Sequence, residues 1–185
     1  MDDSLRKNLI QIALTLFTIA IVFAACKFRK LPIRETLGLK VPDTRTFLFW
    51  IGLYLPIFAI TEAAYFGLGL AKGNVWEYQG YITVIRILKI ALPGPIAEEL
   101  VFRGLLFVRI SRAKPGPIAA VFLTAIFFAA AHFRYDFMDI LFILVDGLYY
   151  GWVRHKTGSV IIPIVLHIFG NTVAIVEFLF INARF

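Results

Sequence analysis

The chain has 185 residues, 60% of them hydrophobic and only 17% charged, with a mean hydropathy of +0.82. Soluble domains hold about 45–50% apolar and about 25% charged residues, so water is excluded as the solvent for most of the chain. With about 20 residues needed per membrane span, no room is left for a separate soluble catalytic domain. The net charge of +7 fits basic loops at a membrane face and makes nucleic acid an unexpected partner. The single cysteine, Cys26, excludes an intrachain disulfide.

Apolar runs in chain order predict spans over residues 8–26, 47–70, 82–110, 117–133, 137–153 and 159–181. The fold expected is all-α, a polytopic bundle of about six transmembrane helices forming one domain over 1–185, with the lipid bilayer as its first partner. The third run is broken by Pro93-Gly94-Pro95. Proline lacks an N–H and favours the first helical position, so a fresh helix is expected from Pro95. The 27–45 connection carries Lys27, Arg29, Lys30, Arg34, Lys40 and Arg45, whereas 71–81 carries only Lys72. This asymmetry places 27–45 in the cytoplasm, with Arg109, Arg112, Lys114, Arg154 and Lys156 on the same side and Arg134 opposite. Both termini are then expected outside, in a multi-pass protein of the cell membrane.

Polar residues at membrane depth are expensive and point to function. Glu98, Glu99 and Arg103 fall in an otherwise apolar helical run. A helix turns about 100° per residue, so Glu99 and Arg103, four apart with the acid first, share a face and are expected to pair. Glu98 points away, free to face water or substrate as a proton acceptor; the bland reading is one structural ion cluster. His132 follows Phe128 and three alanines; the small residues allow a close helix approach, although a histidine at a helix end also suits the interface. His167 and Asn171, four apart in the last span, share a face and could both donate to an oxyanion, or make an interhelical structural bond.

Together these motifs resemble the CPBP (CAAX protease and bacteriocin-processing) family of intramembrane endopeptidases, type II CAAX prenyl protease-like: Glu98-Glu99-x-x-x-Arg103, Phe128-x-x-x-His132 and His167-x-x-x-Asn171. Gly147-x-x-x-Gly151, Thr157-Gly158-Ser159 and Leu31-Pro32-Ile33-Arg34 add to the likeness, which covers about 30–175. The resemblance implies hydrolysis of a peptide bond in a membrane-associated protein or peptide. The family's eukaryotic branch cleaves prenylated CAAX proteins, while its prokaryotic members serve peptide maturation, bacteriocin immunity or protein sorting. It also implies that Glu98 and His132 activate water and that His167 and Asn171 form the oxyanion hole, with Glu99 and Arg103 as structural support. Asp146 departs from the pattern; a site histidine, Arg86 and Lys89 are its candidate partners. Glu98, His132 and His167 could alternatively ligate zinc. The histidines nevertheless lie on separate helices without a His-Glu-x-x-His pair, and a cofactor-free, glutamate-activated water is favoured. The rival reading is a non-enzymatic transporter, or a bacteriocin-immunity or binding protein, using Glu62, Arg86, Lys89 and Asp146.

Overall fold

The structure, a computed structural model, describes residues 2–70, 80–114 and 116–182, with side chains through Leu179. All regular structure among them is helical. Helix α1 (Asp3–Phe28) starts where the Asp2 carboxylate accepts the backbone N–H groups of Ser4 and Leu5, and α3 (Thr44–Gly67) starts with Asp43 accepting from Thr46 in the same way. Between them lies the short α2 (Ile33–Leu37), inside the connection read from the sequence as a basic loop. Then follow α4 (Tyr81–Ala91), α5 (Pro93–Glu99), a π-helical segment (Leu100–Leu106), α6 (Phe107–Ser111), α7 (Gly116–Ala131), α8 (Phe137–Thr157) and α9 (Ile161–Asn182).

Three of these helices, α1, α3 and α9, are long and apolar enough to cross a membrane, and α7 is a shorter apolar helix. They present Leu14, Phe17, Leu48, Ile60, Phe122 and Val176 outward, as a lipid solvent allows. The chain is an all-α membrane protein, and the predicted runs coincide with its helices. The break in the third run falls at Leu92, and the new helix begins with Pro93 at its first position, two residues before the expected Pro95. The reason is that Pro93 itself has no N–H to lose at a helix start. The sparsely charged connection with Lys72 lies largely outside the described residues.

Two contacts hold the bundle at the depth of the polar motifs. Helix α8 meets α7 through Gly147 and Gly151: a Cβ on Gly147 would lie 3.3 Å from the Cα of Ala125, and one on Gly151 would lie 3.3 Å from the Val121 carbonyl oxygen. A Cβ at either position would have to push the α7 backbone away, and glycine lets the helices pack closely, which is how membrane helices gain packing without a hydrophobic drive. Across the bundle, Trp50 and Tyr54 of α3 pack with Tyr149 and Tyr150 of α8 and Ile162 and Leu166 of α9.

The α2 connection is fastened to the same end of the bundle. Gly38 adopts φ +72°, and a Cβ there would lie 2.5 Å from the Arg154 guanidinium carbon. Its carbonyl accepts from Val160 N–H at 2.8 Å, and the Ser159 hydroxyl donates to the Lys40 carbonyl at 2.6 Å. Arg154, buried on α8, donates from Nε to the carbonyl of Arg103 at 2.9 Å. That carbonyl is available because the π register sends the Phe107 N–H to Phe102, five residues back, instead of to Arg103.

Candidate active site

Glu98 and Glu99 are the last residues of α5, immediately before the π segment. Glu99 and Arg103 pair as their four-residue spacing predicts: Arg103 Nη1 donates to Glu99 Oε1 at 2.9 Å, and both side chains are fully buried. The other arm of the guanidinium, Nη2, donates to the Gly147 carbonyl at 2.9 Å. Its flat face lies 4.5 Å from the Phe128 ring centre and 5.5 Å from that of Tyr150. A buried ion pair needs such an extra acceptor and π faces to offset its desolvation.

The same Glu99 oxygen reaches a second helix. His167 of α9 places Nδ1 at 3.1 Å from Glu99 Oε1, and because a carboxylate only accepts, Nδ1 carries the hydrogen. Its Nε2 is thereby turned toward Glu98, whose Oε2 lies 3.8 Å away. That is too long for a direct hydrogen bond, and the Glu98 Oε2 atom is buried with no hydrogen-bond partner among the described residues. The ring of His167 is stacked on Tyr150, centroids 5.6 Å apart, and meets the Phe128 ring edge-on at 5.5 Å.

Phe128 also fixes His132, just beyond the end of α7. The two rings meet edge-on at 4.9 Å, and His132 Nδ1 lies 2.9 Å from the Phe128 carbonyl oxygen. A carbonyl cannot donate, so Nδ1 is the protonated nitrogen and the neutral ring offers Nε2 as an acceptor. Asn171, one turn beyond His167, donates from Nδ2 to the Ile90 carbonyl at 3.0 Å, tying α9 to the last turn of α4 beside the Leu92 break.

Glu98 differs from Glu99 in what surrounds it. Its side chain is 37% exposed and opens on a cleft of about 300 Å³ between α1 and α5, walled by Leu14, Thr15, Thr18 and Phe102. The site therefore has a buried half, Glu99 with Arg103, and an open half, Glu98.

The structure gives Asp146 a partner that sequence reasoning did not consider. It accepts from the Tyr54 hydroxyl at 3.1 Å, and Tyr54 shares a second 3.1 Å hydrogen bond with Tyr150, the residue under His167. Lys89 turns instead to Asn8 and Gln11 of α1. Tyr150 and the Gly147 carbonyl also escaped the sequence reading. Their signal was present in the helical spacing from Gly147, which puts residue 150 on the face that packs inward. As for zinc, no three His, Cys, Asp or Glu side chains come together as metal ligands among the described residues.

Residues 80–173, which span every one of these motifs, match the family model described as type II CAAX prenyl endopeptidase Rce1-like. The chain belongs to that family. No curated protein and no solved structure matches it. Membership in the type II CAAX prenyl endopeptidases makes the protein a membrane-embedded protease at the level of class, and the matched stretch runs from the start of α4 into α9.

Proposed function

We propose that the chain is one membrane domain that hydrolyses a peptide bond of a membrane-associated protein or peptide, with Glu98 as the base and no metal. The observation that carries this is the contrast between adjacent glutamates: Glu99 is buried and neutralised by Arg103, whereas Glu98 borders an open cleft and lies 3.8 Å from His167. A water between Glu98 and His132 loses its proton to the Glu98 carboxylate, helped by the unprotonated Nε2 of His132, as its oxygen attacks the scissile carbonyl carbon. The oxyanion that forms is met by His167 Nε2–H and by the second amide hydrogen of Asn171. His167 bears hydrogen on both nitrogens for this step. With Glu98 and Glu99 ionised, an imidazolium together with Arg103 brings the cluster to neutrality. Collapse of the tetrahedral intermediate breaks the C–N bond, and Glu98 returns the proton to the leaving amine.

The same family suggests the first substrate to try. The purified protein in liposomes should cleave a quenched fluorescent peptide bearing a prenylated CAAX end, and Glu98→Gln should not. Cleavage that survives exhaustive chelation would support the glutamate mechanism. Loss of cleavage on chelation with recovery on adding zinc would overturn it, as would a fully active Glu98→Gln protein.

A further inference from the structure

A second cavity, of about 1030 Å³, runs between the end of α1 and the helix that continues from the π segment into α6. Its walls are apolar, formed by Leu31, Val101, Leu105 and Val108, while Arg29, Arg109 and Arg112 line its outer end. All three arginines are exposed, and none has an ion pair among the described residues. Arg29 directly follows α1, and Arg112 directly follows α6. The charges therefore gather at the ends of two helices, beside an apolar wall. Deeper in the groove, Thr36 is 2% exposed, and its hydroxyl oxygen has no hydrogen-bond partner.

We propose that this groove binds an anionic phospholipid of the leaflet facing the 27–45 connection, with the phosphate on Arg29, Arg109 and Arg112 and one acyl chain along the Val101–Leu105 wall. Free phosphate would use the arginines and leave the apolar wall bare. A neutral lipid would use the wall and leave three unpaired guanidiniums. Only an amphiphile with an anionic head matches both, and basic pockets between membrane helices take such head groups. Val101 lines both this groove and the cleft beside Glu98, so the bound lipid would border the approach to the proposed base. The lipid site itself does not depend on the catalytic reading.

Native mass spectrometry of the full chain in neutral detergent, with equal phosphatidylglycerol and phosphatidylcholine, tests this directly. The parent should retain phosphatidylglycerol over phosphatidylcholine by roughly tenfold or more, the scale that a few interfacial arginines supply. The triple variant Arg29→Gln, Arg109→Gln, Arg112→Gln should fall to parity with an unchanged melting temperature. Millimolar inorganic phosphate should not displace the bound phosphatidylglycerol. Equal retention of the two lipids by the parent would overturn the proposal. So would a preference that persists in the triple variant, displacement by phosphate alone, or a groove that ignores phosphatidylglycerol and takes an acidic peptide.

Discussion

His167 and Arg103 share one oxygen atom: Glu99 Oε1 lies 3.1 Å from the histidine Nδ1 and 2.9 Å from the arginine Nη1. Glu99 is therefore more than the counter-ion of Arg103. It orients a histidine of α9 from a different helix and fixes which nitrogen of that ring points at Glu98.

Adjacent glutamates should accordingly fail in different ways. Glu98→Gln leaves the buried pair intact, so the protein should be extracted in parental amounts while cleavage falls at least ~10²-fold. Glu99→Gln and Arg103→Ala each leave a buried charge uncompensated, a loss of about 3–5 kcal/mol, and should lower both yield and thermal midpoint. Parallel measurement of extraction, melting and turnover checks the contrast. A Glu98→Gln protein as unstable as Arg103→Ala would show that the two glutamates form one structural unit.

For the oxyanion, truncation of either donor, His167→Ala or Asn171→Ala, should cost roughly 10²–10³ in kcat with little change in KM. The structure adds a difference between them. Asn171 also donates to the Ile90 carbonyl, so Asn171→Ala should lower the melting temperature by the equivalent of about 1 kcal/mol. Steady-state kinetics with a melting curve for each variant would separate the two effects, and an unchanged kcat for both would remove them from the reaction.

A leucine at Gly147 should prevent accumulation of the protein, because its Cβ would press on the α7 backbone at Ala125 and on the Arg103 guanidinium together. Gly52, with nothing within 4 Å of its missing Cβ, is the matched control. Comparison of the membrane content of Gly147→Leu and Gly52→Leu reads the effect, and equal amounts would mean that the α7–α8 contact yields easily.

Orientation in the membrane follows from the basic connection and is open to labelling. Glu35 is exposed within that connection, whereas the native Cys26 is buried at 0% exposure and should stay silent. Glu35→Cys should react with an impermeant maleimide only after the cells are opened, which would place the N-terminus, one span away, outside. Labelling of intact cells would reverse the topology.

Much of this was legible in the sequence for definite physical reasons. Span positions follow from apolar runs, and the Glu99–Arg103 pair follows from helical geometry within one element. What joins the elements was not legible. The bond from His167 to Glu99 crosses 68 positions, and no periodicity specifies which of two neighbouring carboxylates a distant histidine will meet. The Tyr54 hydroxyl on Asp146, 92 positions away, was hidden for the same reason. Pro93 rather than Pro95 begins α5, a choice between two equally suited prolines. The π segment has no sequence signature of its own and depends on what its neighbours accept.

That segment has a consequence for chain length. A π turn takes in an additional residue for each revolution, so Leu100–Leu106 behaves as a tolerated insertion within an otherwise ordinary helix. A homologous chain one residue shorter here could run as uninterrupted α-helix and still bring α6 out on the same side. It would lose the released carbonyl of Arg103, and with it the acceptor that holds Arg154 inside the protein. Indels in this stretch and the identity of residue 154 should therefore change together, with a smaller apolar side chain replacing the arginine wherever the helix closes up.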